Sequence, residues 1–151
     1  MTAITNSSQL NTFSLVRDIL LTNSVLNTKF STNDYYEFEP KHKSQSFRGY
    51  PYIIVEVPFT DDSANFLGVR TTDKLFTVTI TLVVEYDARS NVNSYASNIM
   101  SALSGATDTF FKNGYAFQRS NVVIQPEVTS VEEKSVVITE VEVELRGEVK
   151  W

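Results

Sequence analysis

From Leu75 to Tyr86 the chain alternates. Phe76, Val78, Ile80, Leu82, Val84 and Tyr86 share one parity, and Thr77, Thr79, Thr81, Val83 and Glu85 share the other. A period of two over twelve residues has no helical solution. It predicts a strand with an apolar face toward a core and a threonine-rich face on the wetter side of a sheet. A second long segment, Ser135 to Trp151, behaves the same way. Val137, Thr139, Val141, Val143, Leu145, Gly147, Val149 and Trp151 lie on one face, opposite Glu140, Glu142, Glu144, Arg146, Glu148 and Lys150. One face therefore packs on the core and the other meets water or a partner.

Other segments fill in the architecture. Leu10, Phe13, Val16, Ile19 and Leu20 recur at helical spacing within Ser8 to Asn27, and Leu15, Leu21, Val25 and Leu26 widen the stripe. A helix apolar around so much of its girth is expected between a sheet and a second element, such as another subunit. Thr28 to Gly49 follows as a polar connection with an aromatic insert, Tyr35-Tyr36-Glu37-Phe38, then Pro40 and a basic run, Lys41, His42, Lys43 and Arg48, which reads as a loop or a short edge strand. Connections this long are commonly functional or mobile. Tyr52 to Val57, between Pro51 and Pro58, reads as a strand buried on both faces. Phe66 to Arg70 is a weaker strand. A second helix spans about Asn91 to Ser104, and Thr107 to Lys112 adds a turn presenting Phe110 and Phe111. Asn113-Gly114 marks a turn, and a short strand at Val122 to Ile124 is expected to end at Pro126. No repeat, linker or low-complexity tract divides residues 1–151. The expectation is a single α+β domain: a mostly antiparallel, twisted sheet with two main helices packed on one side.

Composition excludes several chemistries. There is no cysteine, hence no disulfide, thiolate nucleophile or thiolate metal site, and the single histidine, His42, rules out a histidine-rich one. His42 sits between Lys41 and Lys43, which disfavour the cationic state a general base passes through, so it reads as a solvated loop residue. The five glycines are scattered singly, which gives no phosphate-cradling loop. Asp61-Asp62 lacks the further ligands of a divalent-cation loop and reads as a solvated turn. No apolar run approaches the roughly 20 residues of a membrane span, and the first ten residues lack a signal peptide's basic and apolar regions. Neither an enzyme's catalytic set nor a cofactor site is expected.

The formal net charge is -5. Between Glu127 and Trp151 seven acidic residues face three basic ones, so four of the five net charges belong to the C-terminal strand region. A free-standing nucleic-acid binder usually carries the opposite sign. Glutamates two apart on an open strand face form a stripe without an enclosing pocket, which argues against acid–base catalysis. Solubility and edge protection explain such a stripe as well as a functional role does.

The layout as a whole resembles a known family. An N-terminal amphipathic helix leads through a long loop to Tyr50-Pro51-Tyr52-Ile53-Ile54-Val55. The alternating strand Phe76 to Tyr86 runs into Asp87-Ala88-Arg89-Ser90 and a helix, and the chain closes on Ile138-Thr139-Glu140-Val141-Glu142-Val143-Glu144-Leu145. This is similar to the tail-terminator (tail-completion) proteins of long-tailed bacteriophages and related tail-like particles, in size, element order and segment style. The resemblance implies an α+β subunit that assembles into a homo-oligomeric, hexameric ring on the head-proximal end of the tail tube. It implies partners in the tail tube protein and the head connector or stopper, assembly in the host cytoplasm and residence in the virion. It implies no enzymatic activity, no cofactor and no membrane contact, with DNA met only in passing through a channel. On that basis Glu140, Glu142, Glu144 and Glu148, with Asp61 and Asp62, are candidates to border the channel or a subunit seam. Tyr35, Tyr36, Phe38, Lys41, Lys43 and Arg48 are candidates to contact the tube or connector. Another head–tail adaptor or tail-tube component, or a small ligand-binding α+β domain, remains open from the residues alone.

Overall fold

The two alternating segments pair with each other. In the computed structural model, which describes residues 4–5, 9–57, 71–131 and 134–150, strand β4 (Thr71–Glu85) runs antiparallel to β6 (Lys134–Lys150) over fifteen residue pairs, from Thr71↔Lys150 to Glu85↔Val136. Val78 lies opposite Val143 and Ile80 opposite Val141, so the apolar parities of both strands share one face. Four further strands complete one mostly antiparallel sheet. β3 (Tyr52–Glu56) pairs antiparallel with β4, and β5 (Tyr115–Val131) flanks β6 antiparallel. The two-residue strands β1 (Ile4–Thr5) and β2 (Tyr35–Tyr36) add parallel pairings to β6 and β3.

All the helices cover one face. α1 (Gln9–Leu21) touches β3 and α3 (Val92–Ser104), and α3 touches β4, β5 and β6. Phe13, Val16 and Leu20 of α1 and Val92, Tyr95, Ile99 and Leu103 of α3 bury against Val78, Ile80, Leu82, Val84, Val141, Val143 and Leu145. α4 (Thr107–Lys112) adds Phe110 to this core and leaves Phe111 exposed. The wide apolar stripe of α1 finds its second neighbour in α3 of the same chain, where Leu15 and Leu21 are half-buried against the core. The strand expected to be buried on both faces is so. Ile53 and Val55 point into the main core, while Tyr52 and Ile54 join Val83 and Val136 in a second cluster on the opposite face.

Two expectations are corrected. The N-terminal helix does not run to Asn27: Asn23 interrupts it, and its Oδ1 accepts the backbone N–H groups of Val25 and Leu26, both at 3.0 Å, capping a separate α2 (Ser24–Lys29). The Thr28 to Gly49 connection does hold a short edge strand, β2, reached through a buried Phe30 and a 3₁₀ turn at Thr32–Asp34. Pro126 does not end a strand at Ile124. β5 continues to Val131 because it is an edge strand, with register shifts between Phe117 and Arg119, Val122 and Ile124, and Ile124 and Glu127. A proline without an N–H is tolerated where the ladder is already broken. The strand predicted at Phe66 to Arg70 lies outside the described residues.

Leu103 is wholly buried in the core whereas Val128 on the β5 edge is 62% exposed. Leu103→Ala is therefore expected to lower unfolding free energy by about 3 kcal/mol, and Val128→Ala by less than about 0.5 kcal/mol, in chemical denaturation.

Candidate functional site

The sheet face turned away from the helices has two halves of different chemistry. At one end the segment 37–50 folds back over Tyr52, Ile54, Val83, Val136 and Ile138. At the other end the face is left to threonines and glutamates. Period-two alternation determines this division, because every residue whose neighbours enter the helix-covered core must present itself here.

The open half is built across three strands. Glu56 of β3 lies opposite Thr79 of β4, which lies opposite Glu142 of β6. One pair along, Ile54, Thr81 and Glu140 form the next row, and Thr77 and Glu144 belong to the row beyond Glu142. Glu127 of β5 pairs with Ile138, next to Glu140 on this face. Burial first, then the charges of Glu56, Glu142 and Glu127, raises the Glu140 carboxyl above the usual carboxylate range. Glu144 differs from its neighbours. Its Oε1 accepts from Arg119 Nη2 at 3.0 Å, and this contact raises the already high Arg119 pKa. Among the described residues Glu140 and Glu142 have no cation within ion-pair distance, and no group of three acidic or histidine side chains is gathered closely enough to hold a metal ion. The structure thus brings Glu140, Glu142 and Glu144 onto one face with Glu56 and Glu127, two acidic residues that sequence reading did not single out. Their cross-strand register was the missing signal. Glu148 lies in β6 opposite Asp73, its side chain outside what is described, and Asp61 and Asp62 lie outside the described residues.

The other half is aromatic. His42 is not a solvated loop residue, as its charged flanks led us to expect. Its side chain is only 10% exposed and stacks on Phe47 at 4.1 Å between ring centroids, with Tyr50 and Tyr52 edge-on at 5.6 and 5.7 Å. The Tyr52 hydroxyl donates to Glu39 Oε1 at 2.8 Å. The Tyr52 oxygen then faces a proton on His42 Nε2 at 3.3 Å, and His42 Nδ1 accepts from the Tyr50 hydroxyl at 3.2 Å. Burial and the Glu39 carboxylate push the Tyr52 phenol well above its ordinary pKa, so it stays a donor. The Tyr36 hydroxyl accepts the Arg48 backbone N–H at 3.0 Å, closing the segment on β2. Lys134 Nζ sits 5.3 Å above the Tyr50 ring and 3.4 Å from Glu85 Oε2.

The candidate contact residues separate accordingly. Lys41, Lys43 and Arg48 are exposed, and Phe38 is 73% exposed. Tyr36 is half-buried, and Tyr35 is a core residue packed 6.1 Å from the Phe30 ring, although adjacency in sequence gave no hint of the difference. β2 alternation sends Tyr35 inward beside Ile53 and Tyr36 outward beside Ile54. Comparison with protein-family models and with the curated proteins gave no match. Among the described residues no helix is long and apolar enough to cross a membrane.

Two outcomes follow from this geometry. Glu140 is raised in the folded state, so its ionisation opposes folding. The stability it allows is complete below the unfolded carboxylate pKa and is lost as pH rises through the folded one. Glu140→Gln should therefore stabilise the protein slightly at pH 7, by ~0.3 kcal/mol once solvent screening is allowed for, with the gain vanishing at acid pH in denaturation series. Tyr52→Phe removes the donor to Glu39 and should cost about 1 kcal/mol, read the same way.

Proposed function

We propose that this chain is a structural subunit of the tail-terminator type. It assembles head-to-tail into a ring of six copies that caps a phage-like tail tube and joins it to the head connector. It would act by shape and charge, without catalysis or cofactor, be assembled in the host cytoplasm and reside at the head-proximal end of the tail. The observation that carries this reading is the open half of the sheet face, where strand register sets Glu56, Glu127, Glu140 and Glu142 side by side, and burial, then these charges, raises Glu140. In a solitary protein these charges would serve only solubility and edge protection. In a ring, such a face makes a wall that repels phosphate, so that DNA passes a channel without adhering. The fold supports the reading too: the helices cover one sheet face, the other is covered only at its aromatic end, and Lys41, Lys43 and Arg48 are exposed on the segment that covers it.

The test combines assembly with charge reversal. Purified protein should be a monomer or a single closed ring by mass measurement and electron microscopy; long filaments would instead mark a tube subunit and overturn the terminator reading. Replacing Glu140 and Glu142 by Lys should leave a folded subunit whose particles eject DNA poorly or whose rings fail to close, and normal particles would sink the channel assignment. Reversing Lys41, Lys43 and Arg48 to Glu should weaken binding to the tube or connector without loss of fold. Deleting the whole segment is a poorer test, because Phe30 and Tyr35 belong to the core.

A further inference from the structure

The second apolar cluster, on the sheet face away from the helices, shares no residue with the main core. Its floor is Tyr52, Ile54, Val83 and Val136, each exposed by 4% or less. Residues 37–50 lie over this floor, yet no residue from Glu37 to Tyr50 is itself fully buried. The apolar residues that this segment adds to the cluster are Phe47 and Tyr50. Its backbone bonds from Ser44 N–H to Lys41 O at 3.0 Å and from Phe47 N–H to Ser44 O at 3.3 Å are turns within the segment. The described ties to the sheet are made by side chains, and three of them meet at Tyr52. Glu39 Oε1 accepts from the Tyr52 hydroxyl at 2.8 Å, and His42 Nε2 lies 3.3 Å from the same oxygen. The Phe47 ring stands edge-on to the Tyr52 ring at 5.4 Å. A fourth tie is the Arg48 N–H, which donates to the Tyr36 hydroxyl at 3.0 Å.

We infer that residues 37–50 form a strap that opens as a unit while the main core stays folded, uncovering the apolar end of the outer face. A segment opens at low cost where it buries few apolar side chains and where its release breaks no run of ladder bonds. Lifting the strap undoes contacts with Tyr52 and Tyr36 and leaves the pairings of β3 with β4 and of β4 with β6 in place. It also leaves the main core whole, because the two clusters have separate members. The motion couples two surface properties. Lys41, Lys43 and Arg48 are exposed on the strap and travel with it, while Tyr52, Ile54, Val83 and Val136 become accessible. Exposing that apolar floor to water keeps the open form a minor state. Strap opening belongs to a single subunit and does not depend on ring formation or on a channel.

The chain has no cysteine, so a single introduced thiol reports local exposure without interference. Val83→Cys places one under the strap and Val78→Cys places one in the main core, at sites 1% and 0% exposed. Each full-length variant is treated with a thiol reagent under conditions where closing outpaces labelling, so that the rate follows the open population. Val83→Cys is expected to label faster than Val78→Cys. Adding His42→Ala or Phe47→Ala should speed labelling at position 83 by about tenfold and leave position 78 nearly unchanged. Adding Leu103→Ala, which weakens the main core, should speed position 78 by about a hundredfold and leave position 83 nearly unchanged. Equal rates at both positions, rising together with Leu103→Ala, would mean that the strap opens only with the whole fold and would overturn the inference. Labelling at position 83 that ignores both His42→Ala and Phe47→Ala would overturn it too. Trypsin digestion reads the same opening without a thiol. Cleavage after Lys41, Lys43 and Arg48 should quicken with Phe47→Ala and not with Leu103→Ala, and the reverse pattern would count against the strap.

Discussion

The fifteen-pair ladder between β4 and β6 is the constraint on which the rest of the molecule depends. Once Val78 is set against Val143 and Ile80 against Val141, one face is apolar across both strands and must be covered. α1 and α3 cover it. The same pairing forces Thr77, Thr79 and Thr81 together with Glu140, Glu142 and Glu144 onto the other side. Core and candidate site are therefore two consequences of one register. A slip by a single residue would bury the glutamates and expose the valines, which no local adjustment could offset.

The outer face is not uniform, because only part of it is covered. The aromatic segment closes part of it. His42, Phe47, Tyr50 and Tyr52 pack ring against ring, and the hydroxyls of Tyr50 and Tyr52 satisfy the imidazole and Glu39. This end of the face is a small second core. The other end keeps Glu140 and Glu142 half-buried beside the exposed Glu56 and Glu127, an arrangement of like charges that opposes folding.

Much of this was legible in the chain itself. Strict alternation located β4 and β6 and assigned their faces correctly, since a period of two is a direct readout of pleat geometry. The α+β arrangement followed from the spacing of Val92, Ile99 and Leu103 and of Phe13, Val16 and Leu20. What escaped were features that depend on distant partners. Asn23 looked like dilution of a helix and is a cap. His42 was judged by its lysine neighbours, although its surroundings are rings from ten residues away. Glu56 and Glu127 came into the acidic face only through strand pairing, and Pro126 kept its place because, among the described residues, β5 pairs with β6 alone.

The irregular edge of β5 has a further effect on the hairpin it forms with β6. From Ile138 to Leu145 β6 is nearly a two-residue repeat, so sliding it by two positions past a regular partner would preserve every inward and outward assignment. Side-chain pattern alone would leave those alignments close in energy. The three interruptions along β5 are aperiodic, at Phe117/Arg119, Val122/Ile124 and Ile124/Glu127. Bulges of this kind help pin register, so they supply a positional marker that the monotonous pattern of β6 lacks.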